Sequence, residues 1–238
     1  MGRAFEVRKA AMLKTSAAKS KLYAKYGKEI YMAAKSGGPD VEANLTLKRL
    51  IEKAKKDQVP SDIIKRAIDK AKGGSEESYT EVRYEGFGPG NSAVIVECLT
   101  DNVNRTIAEV RNCFTKTDGK LGVSGSALHQ FSHQAVFTLP ETTEDEALEI
   151  LVMHDLDVDD IEEDEEGTTI YSNAADYHRI RTAILAEKPE MEFTTDEIMW
   201  VPINAVSLET DDEKERFERL LDSLHELDDV QEVYHNVT

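Results

Sequence analysis

Cysteine is scarce: of 238 residues only Cys98 and Cys113 carry thiols, fifteen positions apart and with no C-x-x-C. That leaves no disulfide framework and fits a reducing cytosol. No run approaches the roughly 18 consecutive apolar residues that a membrane span needs. The opening MGRAFEVRKAAMLK lacks the apolar core of an export signal, and Glu6 stands where a myristoylation signal needs Ser or Thr. A cytoplasmic location without a membrane partner is therefore expected. Metal motifs are missing as well: there is no H-E-x-x-H and no Cys/His cluster. His129 and His133 fall in a strand-like stretch, where they share no helix face. No Ser/His/Asp grouping stands out by spacing.

Nucleotide motifs fail in an instructive way. Gly86-Phe-Gly-Pro-Gly90 resembles a dinucleotide loop, but Asn91 occupies the last glycine position. The glycines also precede a strand, Ala93–Thr100, so no helix N-terminus meets a phosphate. The Walker pattern lacks its GK[ST]. The stretch reads as a turn feeding a strand. No small-molecule substrate, cofactor or catalytic residue is evident, and the chain is not expected to be an enzyme. One more decoy lies downstream. Asp155, Asp157, Asp159 and Glu166 match calcium-loop positions one, three, five and twelve, but Asp160 stands where the loop requires Gly. An acidic solvated hairpin is the expected reading.

What is abundant is charge, unevenly distributed. Residues 1–78 hold 18 Lys+Arg against 10 Asp+Glu, a net of +8, while residues 79–238 hold 11 against 37, a net of −26. This asymmetry points to a polyanion partner for the front half only.

The front half is helical. Arg3, Arg8, Lys9 and Lys14 lie on an arm with little apolar periodicity. From Ser20 the spacing of Leu22, Tyr26, Ile30 and Ala33 predicts a helix, with Lys19, Lys21, Lys25 and Lys28 off or beside its stripe. Lys35-Ser-Gly-Gly-Pro39 stops it. A second helix is expected over Asp40 to Lys56, inner face Ala43, Leu47, Leu50, Ile51 and Ala54. Val59-Pro60 breaks it, and Ser61 is expected to cap a third helix whose outer face carries Lys65 and Arg66. Three such helices make a small bundle. The second and third, joined by a short turn, fit a helix-turn-helix or any short helix pair.

The strand Ala93–Thr100 alternates Val94, Val96 and Cys98 with Ile95 and Leu99. Asp101 and Asn102 cap the next helix, whose inner face is Ile107, Val110 and Cys113/Phe114, so Cys113 reads as core. Asn102, Asn104 and Arg105 at the helix start suit either capping or an anion. Lys116 and Lys120 sit in a polar loop and are a candidate secondary contact. Further on, a strand at Ala135–Leu139, a Thr143-x-x-Glu146 capping box, strands near Val158–Glu162 and Thr168–Tyr171, a helix after Asn173 and a strand near Glu192–Met199 give β-α-β-β-α-β, the ferredoxin-like order. A helix from Thr210-x-x-Glu213 and a strand Val230–His235 remain to rejoin the earlier α/β unit. The expected class is α+β: a three-helix bundle plus two α/β domains, one ferredoxin-like and inserted in the other. The expected domains are a basic helical one over 1–79, a discontinuous α/β one over 80–133 with 203–238, and an acidic insert over 134–202.

Several segments together, KLYAKYGKEIYMAAKSGGPD, VPSDIIKRAIDKAKGG, RYEGFGPGNSAVIVECLTDNVNRTIAEVR, GVSGSALHQF and DDVQEVYHNV, resemble the YebC/PmpR family of bacterial proteins called probable transcriptional regulators. The match is to its shorter-armed, YeeN-like branch, and mitochondrial relatives act as translational activators. The likeness covers essentially the whole chain, with YEGFGP…NRT the most specific part. Two departures stand out: Phe5 replaces a family Trp in the arm, and ALHQF replaces a VSYMF-like strand. The resemblance implies a helical domain plus two α/β domains arranged around a cleft. With the charge pattern, it makes nucleic acid the expected partner, DNA or ribosomal RNA on the ribosome. The alternative to a DNA-binding transcriptional regulator is a ribosome-associated translation factor.

Overall fold

A computed structural model describes residues 16–73 and 78–238. Arg3, Arg8, Lys9 and Lys14 lie outside the described residues. The chain is α+β, and among the described residues it has seven α-helices and two four-stranded sheets. It divides into two compact units. One contains the described residues up to Ser126 together with Leu208–Val233; the other contains Ala127–Ser207 with Tyr234–Thr238.

The first unit begins with three helices, α1 (Ser16–Gly37), α2 (Leu45–Lys56) and α3 (Ser61–Lys72). The apolar stripe of α1 buries Tyr26, Ile30, Ala33 and Ala34 against Leu47, Ile51 and Ala54 of α2 and Ile64, Ala67 and Ile68 of α3. Both later helices pack chiefly on α1, and the contact between α2 and α3 is the smallest of the three. The second helix starts at Leu45 and not at the expected Asp40. Asn44 is the reason: its Oδ1 accepts from the Leu47 amide at 3.0 Å, while its Nδ2 donates to the Ala33 and Gly38 carbonyls at 2.9 and 2.8 Å. A side chain that ties two helix ends together is worth more as a cap than as an interior residue. Likewise Ser61 is the first residue of α3, not its cap. Pro60 holds that place with φ −57° and ψ 134° and no side-chain cap bond. The ring presets the entry, so no hydroxyl is required.

The body of this unit is a sheet in the order β3-β1-β2-β8, with β1 (Thr80–Phe87), β2 (Ala93–Thr100), β3 (Lys120–Leu121) and β8 (Val230–His235), the last counted with this unit as far as Val233. Helix α4 (Val103–Lys116) packs on β1, β2 and β3, and α7 (Asp211–His225) packs on α4 and on the turn at Pro89–Asn91. β1 and β2 form an antiparallel hairpin in register from Thr80↔Thr100 to Phe87↔Ala93. The glycine stretch is its turn, a 3-10 turn at Pro89–Asn91 in which Gly90 sits in the left-handed region at φ +64°. Gly86 is small for a different reason. A Cβ there would lie 2.5 Å from Cε1 of Phe114 on α4 and 3.0 Å from the Lys120 carbonyl oxygen. The glycines therefore let α4 and β3 approach the hairpin. We expect Gly86→Ala to lower unfolding free energy in urea by about 1–3 kcal/mol, the usual cost of overpacking.

Between β3 and α7 the chain builds the second unit: β4 (Phe131–Leu139), α5 (Glu144–Met153), β5 (Asp160–Asp164), β6 (Gly167–Asn173), α6 (Tyr177–Glu187) and β7 (Thr195–Pro202). The sheet order β5-β6-β4-β7, with each described pairing antiparallel, is that of a ferredoxin-like βαββαβ fold. Ala135, Phe137 and Leu139 of β4 pack beneath Ala147, Ile150 and Leu151 of α5 and Tyr177, Ile180 and Ile184 of α6. Three boundaries move relative to expectation. β5 begins at Asp160, beyond Val158, and β6 extends over Gly167–Asn173. β7 begins at Thr195, beyond Glu192, and runs through Pro202. Phe193 precedes that strand but is buried all the same, tilted against Phe137 at 5.8 Å. An apolar residue that plugs a core from a loop looks like a strand residue in sequence. At the start of the chain the described helix likewise begins at Ser16, ahead of Ser20.

Candidate nucleic-acid interface

The helical bundle carries its bases on two distinct surfaces. Lys21, Lys25 and Lys28 follow one another at helical spacing along α1, and all three end within the chain. The Lys21 ammonium donates to the Glu226 carbonyl at 2.6 Å and that of Lys25 to the Gln231 carbonyl at 3.3 Å. Lys28 donates to the Asp228 carbonyl and to Oδ1 of Asp229, both at 3.0 Å. From α2, the Lys53 ammonium lies 3.7 Å from Glu232. A basic stripe thus fastens the bundle to the α7–β8 segment of the same unit.

Asp229 is the centre of this junction. Its side chain is only 5% exposed. Oδ2 accepts from Nη2 of Arg105 at 2.6 Å, and the hydroxyls of Thr100 and Thr106 each lie 2.9 Å away. Its backbone carbonyl accepts from the Leu99 amide at 2.8 Å, which places it at the β2 edge. Burial pushes the Asp229 carboxyl up. The bonds from Arg105, Lys28, Thr106 and Thr100 outweigh that and hold it down at about 2. Arg105 also reaches Asp101 at 2.9 Å, and its backbone amide is capped by Oδ1 of Asn102. Of the two roles that suit the Asn102–Arg105 segment, Asn102 performs capping, while Arg105 is held between two carboxylates.

A second charged feature lies beside this one. Burial raises the Glu29 carboxyl to about 7, against the pull of Lys53, Lys25 and Arg49 and with a push from Glu232. Burial also lowers the Lys25 ammonium. A carboxyl whose folded value exceeds its unfolded one stabilises the fold fully below the unfolded value, and that contribution is lost as pH rises through about 7. Glu29→Gln mimics the protonated form. We expect it to stabilise the protein by about 1–3 kcal/mol at pH 8 and hardly at all at pH 4, by urea unfolding at both pH values.

Other bases point outward. Lys19, Lys55, Lys56, Lys65, Arg66, Lys70 and Lys72 are exposed. Arg66 meets Asp62 one turn away, and Lys72 lies 3.7 Å from Asp69, both pairs well solvated. Lys70 and Lys35 both lie over the Tyr31 ring, at 5.5 and 5.4 Å, which brings the ends of α1 and α3 to one side. Surface pairs of this kind hold their partners weakly and can exchange them for phosphates. Lys116 is exposed at the end of α4, and Lys120 on β3 sits 5.9 Å over the Phe87 ring. The fold therefore sorts the expected contacts. Lys19, Lys65, Arg66 and Lys116 are presented to solvent, whereas Lys21, Lys25, Lys28 and Arg105 are joined to residues 101 and 226–231. Asp229 escaped sequence reasoning. The only local hint was an acidic pair ahead of an apolar strand.

Both thiols are buried and free. Burial drives Cys98 up to about 12, assisted by Asp229, and raises Cys113 as well. Neither is poised as a nucleophile. Asp159 of the acidic hairpin accepts from Gln134 at 3.0 Å, and its backbone amide pairs with Tyr171. Among the described residues no group of three or more His, Cys, Asp or Glu is arranged to hold a metal ion, and no helix is long and apolar enough to cross a membrane.

These features define an α+β protein in which a basic helical bundle is pinned to an α/β body that a ferredoxin-like unit interrupts. The chain belongs to the TACO1/YebC family: residues 3–74 match the family's N-terminal domain and residues 79–237 its second and third domains. A relative from Alteromonas mediterranea is 55% identical over 99% of this chain and 98% of its own length. One from Acholeplasma laidlawii is 56% identical over 100% and 98%. Both are named "Probable transcriptional regulatory protein". The crystal structure of a conserved hypothetical protein from Aquifex aeolicus, 37% identical, covers 94% of this chain and 91% of its own with a TM-score of 0.79.

Proposed function

We propose that this protein is a nucleic-acid-binding regulator of gene expression, in the first place a DNA-binding transcriptional regulator, that grips phosphates with the exposed bases of its helical bundle. One observation carries the reading. On α2 and α3, Lys55, Lys56, Lys65, Arg66, Lys70 and Lys72 all face solvent, in a chain whose net charge is otherwise strongly negative. Bases on two adjacent helices suit a phosphate backbone, and such contacts fix position without reading sequence. Lys19, Lys116 and Lys120 are further exposed candidates for phosphate contact. Lys21, Lys25, Lys28 and Arg105 contribute indirectly, by holding the bundle against the body. The names of the relatives agree with a regulatory role, and no step of catalysis is required of the protein. The cytoplasm, where nucleic acid is at hand, is the compartment this reading needs.

A second reading has its own support. Residues 134–202 hold 20 Asp+Glu against 3 Lys+Arg, too acidic to lie along a duplex but suited to basic proteins. A translation factor would set its bases on ribosomal RNA and its acids against ribosomal proteins. Sedimentation with ribosomes, set against gel shift on promoter DNA at matched salt, separates the two. Retention on DNA alone supports the transcriptional reading, retention on ribosomes alone supports the translational one, and binding to neither overturns both.

A further inference from the structure

The helix α5 is apolar on more than its buried face. Ala147, Ile150 and Leu151 face the core, as the fold requires. Yet Leu148, Val152 and Met153 are 39%, 75% and 57% exposed. Seven large hydrophobics are exposed among the described residues, and three of them fall within this single ten-residue helix. Scattered single exposures need no explanation, but three within one short helix, two of them stacked a turn apart, do. Leu148 and Val152, four residues apart, stand one turn above the other, which is the spacing that receives apolar anchors from another helix.

The rim decides what kind of partner fits. Asp145 and Glu149 share the outward face of α5, and Asp155 and Asp157 follow its C-terminus, all four exposed. Of the nearest bases, Lys188 is engaged with Glu146 at 3.0 Å. The ferredoxin-like segment 134–202 as a whole carries a net of −17. Nucleic acid and anionic membrane are repelled from such a surface, and so is the same face of a second copy of this chain. A cationic amphipathic helix is attracted by the rim and buries its apolar face on Leu148, Val152 and Met153.

We propose that the outward face of α5 is a docking site for a basic amphipathic helix of a protein partner. Its residues belong to the compact unit that does not hold the helical bundle, and its occupancy does not depend on the bundle's bases. The acidic unit then acts as an adaptor that joins a nucleic-acid-bound regulator to a cationic protein.

The test uses the full chain and a fluorescent Leu/Lys amphipathic peptide, with a scrambled peptide of the same composition and charge but no apolar stripe. Fluorescence anisotropy reads binding. Leu148→Ser/Val152→Ser should weaken the amphipathic peptide about tenfold or more, a loss of about 1.4 kcal/mol or more. The scrambled peptide should bind the parent chain as weakly as the amphipathic peptide binds the variant. Both residues are exposed, so far-UV circular dichroism should be unchanged. Glu149→Lys, which alters the rim alone, should weaken binding and flatten its salt dependence. Equal binding of the two peptides overturns the proposal, because charge alone then suffices. So does equal binding by the parent and the serine variant. A concentration-dependent increase in mass of the parent that the serine variant abolishes, read by light scattering, also overturns it and makes the face a self-association surface.

Discussion

Asp229→Asn should lower unfolding free energy by about 3 kcal/mol, the low end of what it costs to remove one partner from a buried ion pair. The change is nearly isosteric, so cavity formation contributes little. What is lost is the charge toward which Arg105, Lys28, Thr100 and Thr106 are all oriented. An amide also brings two donors into a site already crowded with donors. The low end applies because Arg105 is 45% exposed and regains water. The loss should be local as well as global. Asp229 joins β2, α4 and α1, so amide exchange in α1 should accelerate before exchange in the ferredoxin-like unit does. The acid limb provides a second readout. The Asp229 carboxyl is held at about 2, below its ordinary 3.8. Its stabilisation is therefore present above pH 3.8 and is lost as pH falls toward 2. The shift corresponds to about 2 kcal/mol that the Asn variant should lack. Chemical denaturation from pH 7 down to pH 2 checks both points.

The second large effect is on binding. Replacing Lys55, Lys56, Lys65, Arg66, Lys70 and Lys72 with Gln should weaken nucleic-acid affinity by about 100-fold or more near 0.1 M salt, since each phosphate contact releases counterions. These side chains are exposed, and their acidic neighbours Asp62 and Asp69 are solvated, so unfolding free energy should change by less than about 1 kcal/mol. Lys21→Gln/Lys25→Gln/Lys28→Gln should behave in the opposite way. It removes the bonds to Glu226, Gln231, Asp228 and Asp229 and should show first in stability. Gel shift and urea unfolding on the two variants form a cross. Each variant moves one measurement strongly and the other weakly.

Sequence and structure diverge where interactions are distant. β2 at Ala93–Thr100 and β8 at Val230–His235 were legible to the residue, because short apolar runs bounded by turn and cap signals leave few alternatives. The alternation of elements after Phe131 was enough to imply a ferredoxin-like sheet. Helix starts were legible where a single cap stood alone, as at Thr143 and Thr210, and less so in the bundle. Asp40 and Asn44 are both good caps, and only the carbonyls of Ala33 and Gly38, brought close by folding, favour Asn44. The glycines at 86–90 looked like a ligand loop because a close approach of Phe114 and a close approach of a phosphate impose the same demand for no side chain. The basic surface was legible as a sum of charges but not as a set of pairings. Lys19 and Lys28 look equivalent in sequence, yet one is exposed and the other bonds to a carboxylate 201 residues away. No local pattern encodes such a contact.

If exposed bases of the helical bundle bind phosphates, affinity must fall steeply with salt. Association constants for duplex DNA, or for ribosomal RNA if that is the target, are measured across a range of salt for the parent chain and for the variant lacking the six bases of α2 and α3. The parent should show a log–log slope of about −4 to −7, from about 5–8 phosphate contacts, and the variant a much shallower one. A flat response in the parent, or an equally steep one in the variant, would mean that these bases do not carry the binding.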